Sequence, residues 1–395
     1  MEPPALDAAP RASEVGRDFT VVAMVLAGAC TFINVYCTQP LLPILSRTYK
    51  ASAAAVSLTV SATTFGVALA APLVGLVAES IGRKRVIVPA LFGLSLPTLL
   101  AATSTSLQML IFWRFVQGLF VPGIIAVMMA YINEEWEGRG TGLAMSAYVS
   151  GTVLGGFSGR FITGFVTTYW HWRMTFVVLG VVNLIGAVGV RRWLPKARRF
   201  IPAHHLKASI GDALRHLRNP RLLANFGMGF TVLFGLAATF TYVNFYLAAP
   251  PYRLDAAQLG SVFLVYLLGV LVTPMAGRYL DRHGFRKTAA LALSVSLAGL
   301  ALTLAHSLWL IIAGLALFSS GIFITQASAT VQTGTVAGRA RSSAAGLYIT
   351  FYYLGGSFGA TIPAWFWARG GWLWVVAVIA LASCGSFAFA RWSAK

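Results

Sequence analysis

The chain has 395 residues, of which 57% are apolar and only 10% charged, with 39 glycines and a formal net charge of +19. Soluble domains carry about 25% charged residues, so a chain this apolar cannot cover a water-facing surface and takes the bilayer as its solvent. The basic excess would suggest nucleic acid in a soluble protein, but here most Lys and Arg fall in short segments between apolar stretches, with no clustered basic face interleaved with aromatics; nucleic acid is excluded as a partner.

Apolar runs of about 18 to 27 residues recur, each long enough to cross a hydrocarbon core of about 30 Å as a helix. They lie at 19–40, 53–78, 86–104, 106–132, 140–166, 172–193, 221–248, 258–280, 288–305, 308–334, 341–367 and 371–391, which predicts twelve membrane spans. Residues 1–18 are polar and Pro/Ala-rich, without a short apolar core before a cleavage site. They read as a cytoplasmic tail, with the first span acting as its own insertion signal. Cys30, Cys37 and Cys384 sit inside apolar runs without metal or disulfide spacing and read as small core hydrophobes.

The stretch 194–220 is the longest polar segment and lies near mid-chain, with Pro195, Pro202, His204 and His205. It reads as a cytoplasmic linker between an N-terminal six-helix bundle (19–193) and a C-terminal one (221–392), with a helix lying on the membrane surface. The two histidines lack a third ligand nearby, so no metal site is expected. If the N-terminus is inside, cytoplasmic segments carry 23 Lys and Arg against 4 (Arg47, Lys50, Arg253, Arg369) in the opposite loops. That bias places both termini in the cytoplasm; a plasma membrane of the bacterial inner-membrane kind is the expected location.

Fixed-offset self-similarity points to duplication. Pro72, Gly75, Glu79 and Gly82 return as Pro274, Gly277, Asp281 and Gly284, at an offset of 202. Asn34, Tyr36 and Pro40 return as Asn244, Tyr246 and Pro250, at an offset of 210. Ser106-Leu107 matches Ser307-Leu308, and Tyr148, Gly155, Gly156 and Gly159 match Tyr348, Gly355, Gly356 and Gly359.

Those motifs carry a resemblance. The run from Gly75 through Glu79 and Gly82 to Arg83 and Lys84 resembles the signature of major facilitator transporters between the second and third spans. The run from Gly277 through Asp281, Arg282 and Gly284 to Arg286 and Lys287 resembles its second copy. Arg114-Phe-Val-Gln117-Gly118 resembles the fourth-span motif of the drug-efflux branch, and Tyr148 to Arg160 the fifth-span glycine motif of its drug:proton antiporters. Gly155-Gly156-x-x-Gly159-Arg160 and Leu194-Pro195 are similar to the acriflavine-sensitivity subgroup of that branch. Three positions depart from these patterns: Glu79 stands where Asp is usual, Ser80 where Arg is usual and Gly156 where Pro is usual. The resemblance implies an all-α membrane protein, two pseudo-symmetric six-helix bundles with twelve transmembrane helices, which works as a monomer. It also implies secondary transport with protons as coupling ion and a small organic molecule as substrate.

The residues suggest roles within that frame. In the signature turns, the acids Glu79 and Asp281 can accept hydrogen bonds from a neighbouring helix N-terminus and pair with Arg. Gly75, Glu79, Gly82, Arg83, Gly277, Asp281, Arg282, Gly284 and Arg286 therefore read as a cytoplasmic gate, the alternative being that the cations only anchor topology. Arg114 lies about eight residues into an apolar span, where an ionisable group is by default functional, with Gln117 on the same helical face. Substrate contact and a hydrogen-bond hub to backbone carbonyls are both open for it. Arg160 is a second basic candidate.

Tyr148, Gly151, Gly155 and Gly159 share a stripe that lets another helix approach closely. Only one of Asn34 and Tyr36 can face a cavity, since two residues are about 200° apart on a helix; Asn34 is preferred, and likewise Asn244 over Tyr246. Gln39, Gln326, Tyr348 and Tyr352 complete the candidate lining. None of the eleven acids lies in the middle of an apolar run, so a basic cavity disfavours cations and suits neutral or anionic solutes.

Paired acids, a His cluster or a nucleophile at mid-membrane, as an enzyme would need, are not seen in the sequence, and no nucleotide-binding loop of the Gly-x-x-x-x-Gly-Lys type is present. No enzyme activity and no cofactor are expected. Two readings stand: a proton-coupled exporter, or a facilitator, exchanger or importer of a neutral or anionic solute such as a sugar or organic acid.

Overall fold

The computed structural model describes residues 11–136, 139–197, 211, 214–338 and 341–393, and these are helical almost throughout. The elements in the first half are α1 (Arg11–Val35), α2 (Leu42–Thr48), α3 (Ala53–Ile81), α4 (Arg83–Ala101), α5 (Leu107–Phe120), α6 (Pro122–Glu135), α7 (Arg139–Tyr169) and α8 (Trp172–Trp193). In the second they are α9 (Pro220–Ala248), α10 (Ala256–Val262), α11 (Val265–Leu302), α12 (Leu308–Ala337), α13 (Arg341–Thr361) and α14 (Pro363–Ser393). Helix α1 already begins at Arg11, inside the segment expected to be a tail, whereas most of the expected linker lies outside the described residues.

These elements stack end to end into rods that match the expected spans. Helix α1 unwinds after Val35 and resumes through a 3₁₀ turn at Gln39–Leu41 and α2, with Pro40 and Pro43 at the two restarts. Pro122 splits the fourth rod into α5 and α6, because proline offers no N–H to the preceding turn. Conversely, α11 and α14 each hold two rods, joined at Gly284 (φ 76°) and at Gly370–Gly371 (φ 58° at Gly371). Gly82 takes the same left-handed region (φ 97°) between α3 and α4. The two signature turns therefore share a backbone conformation that only glycine adopts without strain.

Among the described residues, nine helices are long and apolar enough to cross a membrane. The runs at 140–166, 258–280 and 341–367 are helical but are not among the nine. The side chains of the run at 258–280 are only partly within the described residues, whereas for the other two the reason lies in their neighbours: α7 packs on α10, and α13 on α3, across the seam between the halves. Helices that meet protein instead of lipid can carry glycine and hydroxyls in place of leucine.

The duplication is visible in the packing. A Cβ on Gly155 would stand 2.2 Å from the Ala29 carbonyl oxygen, and one on Gly359 2.3 Å from that of Phe234. Gly159 meets Ile33, and Gly355 meets Phe230, in the same way. Glycines 200 residues apart thus seat α7 on α1 and α13 on α9 with partners 201 apart (Ala29 with Phe230, Ile33 with Phe234). This register overturns one sequence match: Asn34 and Asn244, at an offset of 210, are not equivalent positions, since α1 has unwound by Val35 while α9 runs on to Ala248.

Candidate functional site

Among the described residues, two polar clusters bring candidate residues together. The first is internal to the N-terminal half and centres on Arg114, which is fully buried. Its Nε donates to the Thr59 carbonyl at 3.0 Å, and Nη1 donates to the Asn34 carbonyl at 2.7 Å and to Gln117 Oε1 at 2.5 Å. Nη2 donates to the Val35 carbonyl at 2.5 Å. The carbonyls of Asn34 and Val35 are those freed where α1 unwinds, so one guanidinium caps a broken helix. Gln117 Nε2 donates to Thr98 Oγ1 (2.8 Å), which donates to Asn34 Oδ1 (3.1 Å), and Asn34 Nδ2 donates to Asn183 Oδ1 (3.2 Å). These bonds join Arg114, Gln117 and Asn34 into one buried network within the first half.

The second cluster sits on the seam. Arg160, on α7, is 2% exposed. Its Nε donates to Gln39 Oε1 at 2.8 Å, and Nη1 to the Gly156 carbonyl at 2.6 Å. Three rings surround the guanidinium: Tyr36 at 4.8 Å from the same half, then Phe263 at 4.5 Å and Tyr266 at 4.9 Å from the other. No Asp or Glu is buried among the described residues, so the cation is held by an amide, a carbonyl and ring faces. Such contacts strengthen to about 2 kcal/mol when desolvated, still less than a carboxylate would give. Gln39 also reaches Thr241 Oγ1 of the second half at 3.5 Å.

Of the pair Asn34 and Tyr36, therefore, Tyr36 lies at the seam and Asn34 turns into its own bundle. Phe263, Tyr266 and Thr241 are not among the sequence candidates. Thr241 lies on α9, while Phe263 and Tyr266 stand three residues apart where α10 passes into α11, and no pattern along the chain links either element to Arg160.

The remaining candidates are dispersed. Tyr148 is buried, and its hydroxyl has no hydrogen-bond partner among the described residues. Tyr348 stacks on Tyr352, with ring centres 6.1 Å apart, and packs over Gly229. Asn244 is buried and bonds the Phe240 carbonyl one turn back (2.6 Å). On α12, Gln326 is half-buried; further along the same helix, Thr333 accepts from Asn225 Nδ2 inside the second bundle. Cys384 is exposed on α14, against the expectation of a core position, whereas Cys30 and Cys37 are buried.

The hydrogen bonds that join the halves cluster at the end opposite the chain termini. Ser61 Oγ lies 2.8 Å from Ser357 Oγ, Thr361 donates to Ser61 at 2.9 Å, and the Ala257 N–H donates to Thr168 Oγ1 at 3.0 Å. Backbones nearly touch there, because Gly164 faces the Ala256 carbonyl and Gly260 the Arg160 carbonyl. At the terminal end, Gly142 of α7 and Gly346 of α13 have open space where a side chain would project.

The expected gate is only partly described. The side chain of Glu79 lies outside the described residues, Gly75 and Gly277 stand within α3 and α11, and Asp281, Arg282 and Arg286 are exposed. Arg83 pairs with Glu134 at 2.5 Å (Nη2 to Oε1), and its Nε also donates to Oε2 at 3.1 Å. That pair ties α4 to α6 within one half. Glu134 is not among the sequence candidates, because its link to Arg83 spans 51 residues.

Comparison with known proteins settles the family. Residues 24–255 and 244–394 match the Major Facilitator Superfamily. The chain belongs to that superfamily. It is 36% identical over 361 residues to the inner membrane transport protein YnfM of Escherichia coli, covering 91% of this chain and 87% of that protein. It is 34% identical over 358 residues to the uncharacterized MFS-type transporter YybF of Bacillus subtilis, covering 90% and 89%. Among solved structures, it overlays a point mutant of the nucleoside transporter NupG with a TM-score of 0.77 over 94% of this chain and 99% of that one, at 14% identity, a likeness of fold. The chain is a multi-pass integral membrane transporter of the major facilitator type.

Proposed function

We propose that this transporter is a secondary active exporter of small organic solutes, neutral or anionic, that works by alternating access and is coupled to protons. The observation that carries the substrate class is Arg160, a buried cation on the seam with no buried carboxylate among the described residues to balance it. A cation solute entering beside it meets repulsion in a low dielectric, whereas an anion supplies the missing counter-charge. Alternating access is supported by the distribution of contacts between the halves, sealed at one end by hydroxyls, an amide and ring faces that can part without stranding a charge pair. With the terminal end in the cytoplasm, this is an inward-facing arrangement. Export and proton coupling rest on the resemblance of Arg114–Gly118 and Tyr148–Arg160 to efflux motifs.

The test is flux in proteoliposomes of the purified protein, comparing benzenesulfonate with the permanent cation benzyltrimethylammonium, with and without an imposed pH gradient. Gradient-driven anion flux that collapses in Arg160→Gln is the expected result. Gradient-driven flux of the cation, unchanged in Arg160→Gln, would overturn the substrate class. A second reading is favoured by the lack of a buried Asp or Glu among the described residues, since such groups commonly relay protons: uncoupled flux of an organic acid, recognised by rates indifferent to the gradient.

A further inference from the structure

The two halves repeat each other, yet they treat one cluster of cations differently. Gly82 and Gly284 occupy the same turn, which makes Lys84 and Arg85 the counterparts of Arg286 and Lys287. Trp172 and Trp372 begin equivalent final rods, which makes Arg191 the counterpart of Arg391. In the first half this corner is closed by the protein itself. Lys84 Nζ donates to the Leu194 carbonyl, and Leu194 is fully buried where the chain leaves α8.

In the second half the same corner is an open cavity of about 400 Å³. It is lined by Arg286, Lys287, Ala290, Phe387, Ala390 and Arg391. Three cations line it and no acid does, and their side chains make no ion pair with a described residue. The rest of the wall is apolar, and the chain neighbours of Ala290 and Arg391 are Leu291 (50% exposed) and Trp392 (64% exposed), side chains that a bilayer would cover. The cavity stands at helix ends, after the turn at Gly284 and before the end of α14 at Ser393, which is the depth of lipid headgroups.

We propose that this cleft is a binding site for one anionic phospholipid. Its phosphate sits among Arg286, Lys287 and Arg391, and an acyl chain runs along Phe387 and Ala290 towards Leu291. Basic pockets between spans at a membrane face recognise such headgroups by charge, and the apolar wall selects a lipid over a free anion. The lipid supplies to the second half the oxygen ligand that the Leu194 carbonyl supplies to the first, tying α11 to α14.

The experiment titrates delipidated full-length protein in detergent with dioleoyl-phosphatidylglycerol, dioleoyl-phosphatidylcholine or sodium phosphate, and reads the thermal unfolding midpoint. Phosphatidylglycerol raises the midpoint, and the other two leave it in place. Each charge removed weakens the phosphatidylglycerol half-saturation about fivefold, so R286Q/K287Q/R391Q weakens it about a hundredfold. Ala290→Trp keeps every charge, fills the cavity and abolishes the shift. Equal shifts in wild type and the triple variant, or in wild type and Ala290→Trp, would overturn the site. So would phosphatidylcholine acting like phosphatidylglycerol, and sodium phosphate alone reproducing the shift would mark a free-anion site instead.

Discussion

Arg160 of the first half stands with its guanidinium 4.5 Å from the ring centre of Phe263 of the second, while its Nε donates to Gln39. Opening the sealed end must carry Phe263 and Tyr266 away and leave Arg160 with Gln39 and Tyr36. Gln39→Glu supplies the carboxylate the site lacks. A buried pair with that geometry is stronger than the amide bond it replaces and occupies the place of an anionic solute. Benzenesulfonate flux falls at least about tenfold in Gln39→Glu, the equivalent of about 1.4 kcal/mol of competing interaction; flux equal to wild type would show that Arg160 does not meet the solute.

The hydroxyls of Ser61 and Ser357, 2.8 Å apart across the seam, provide a lock. With Cys30, Cys37 and Cys384 replaced, the S61C/S357C pair is within disulfide reach. Mild oxidation should stop flux in proteoliposomes, and dithiothreitol should restore it. Full flux in the oxidised protein, with the crosslink verified on a gel, would contradict alternating access.

Close helix approach at the repeated glycines predicts a stability contrast. Gly155→Ala and Gly355→Ala place a methyl 2.2 Å and 2.0 Å from the backbone oxygens of Ala29 and Phe230, which cannot retreat without shifting a helix. Overpacking of this kind costs about 1–3 kcal/mol, read as a lower unfolding temperature in detergent. Gly142→Ala and Gly346→Ala, with nothing within 4 Å, leave it unchanged or raise it slightly, since alanine is the better helix former.

Arg114 tests hub against ligand. Arg114→Gln strands the carbonyls of Asn34, Val35 and Thr59, each unsatisfied group costing about 1–3 kcal/mol. A large drop in unfolding temperature is therefore expected, with benzenesulfonate still stabilising the variant. If stability holds and the stabilisation by the anion disappears, Arg114 is a substrate ligand.

The chain by itself determined that this is a membrane protein of two repeated halves. Hydropathy, loop charge and the glycine offsets from Gly155 to Gly355 and from Gly82 to Gly284 are properties of local stretches, and bilayer thickness converts them directly into spans. The likeness of Asn34–Tyr36 to Asn244–Tyr246 misled because a short residue match carries no packing register, and the contacts of Ile33 and Phe234 set the register elsewhere. Only the tertiary structure decided that Arg114 caps the break in α1, that Tyr36 instead of Asn34 borders the seam, and that Arg160 rests on rings from the opposite half. It also decided that Arg83 pairs with Glu134 while Arg286, Lys287 and Arg391 line an open cleft. Each of these is a contact between rods distant along the chain, set by how the helices cross and by which corner is already filled, and neither periodicity nor spacing encodes that.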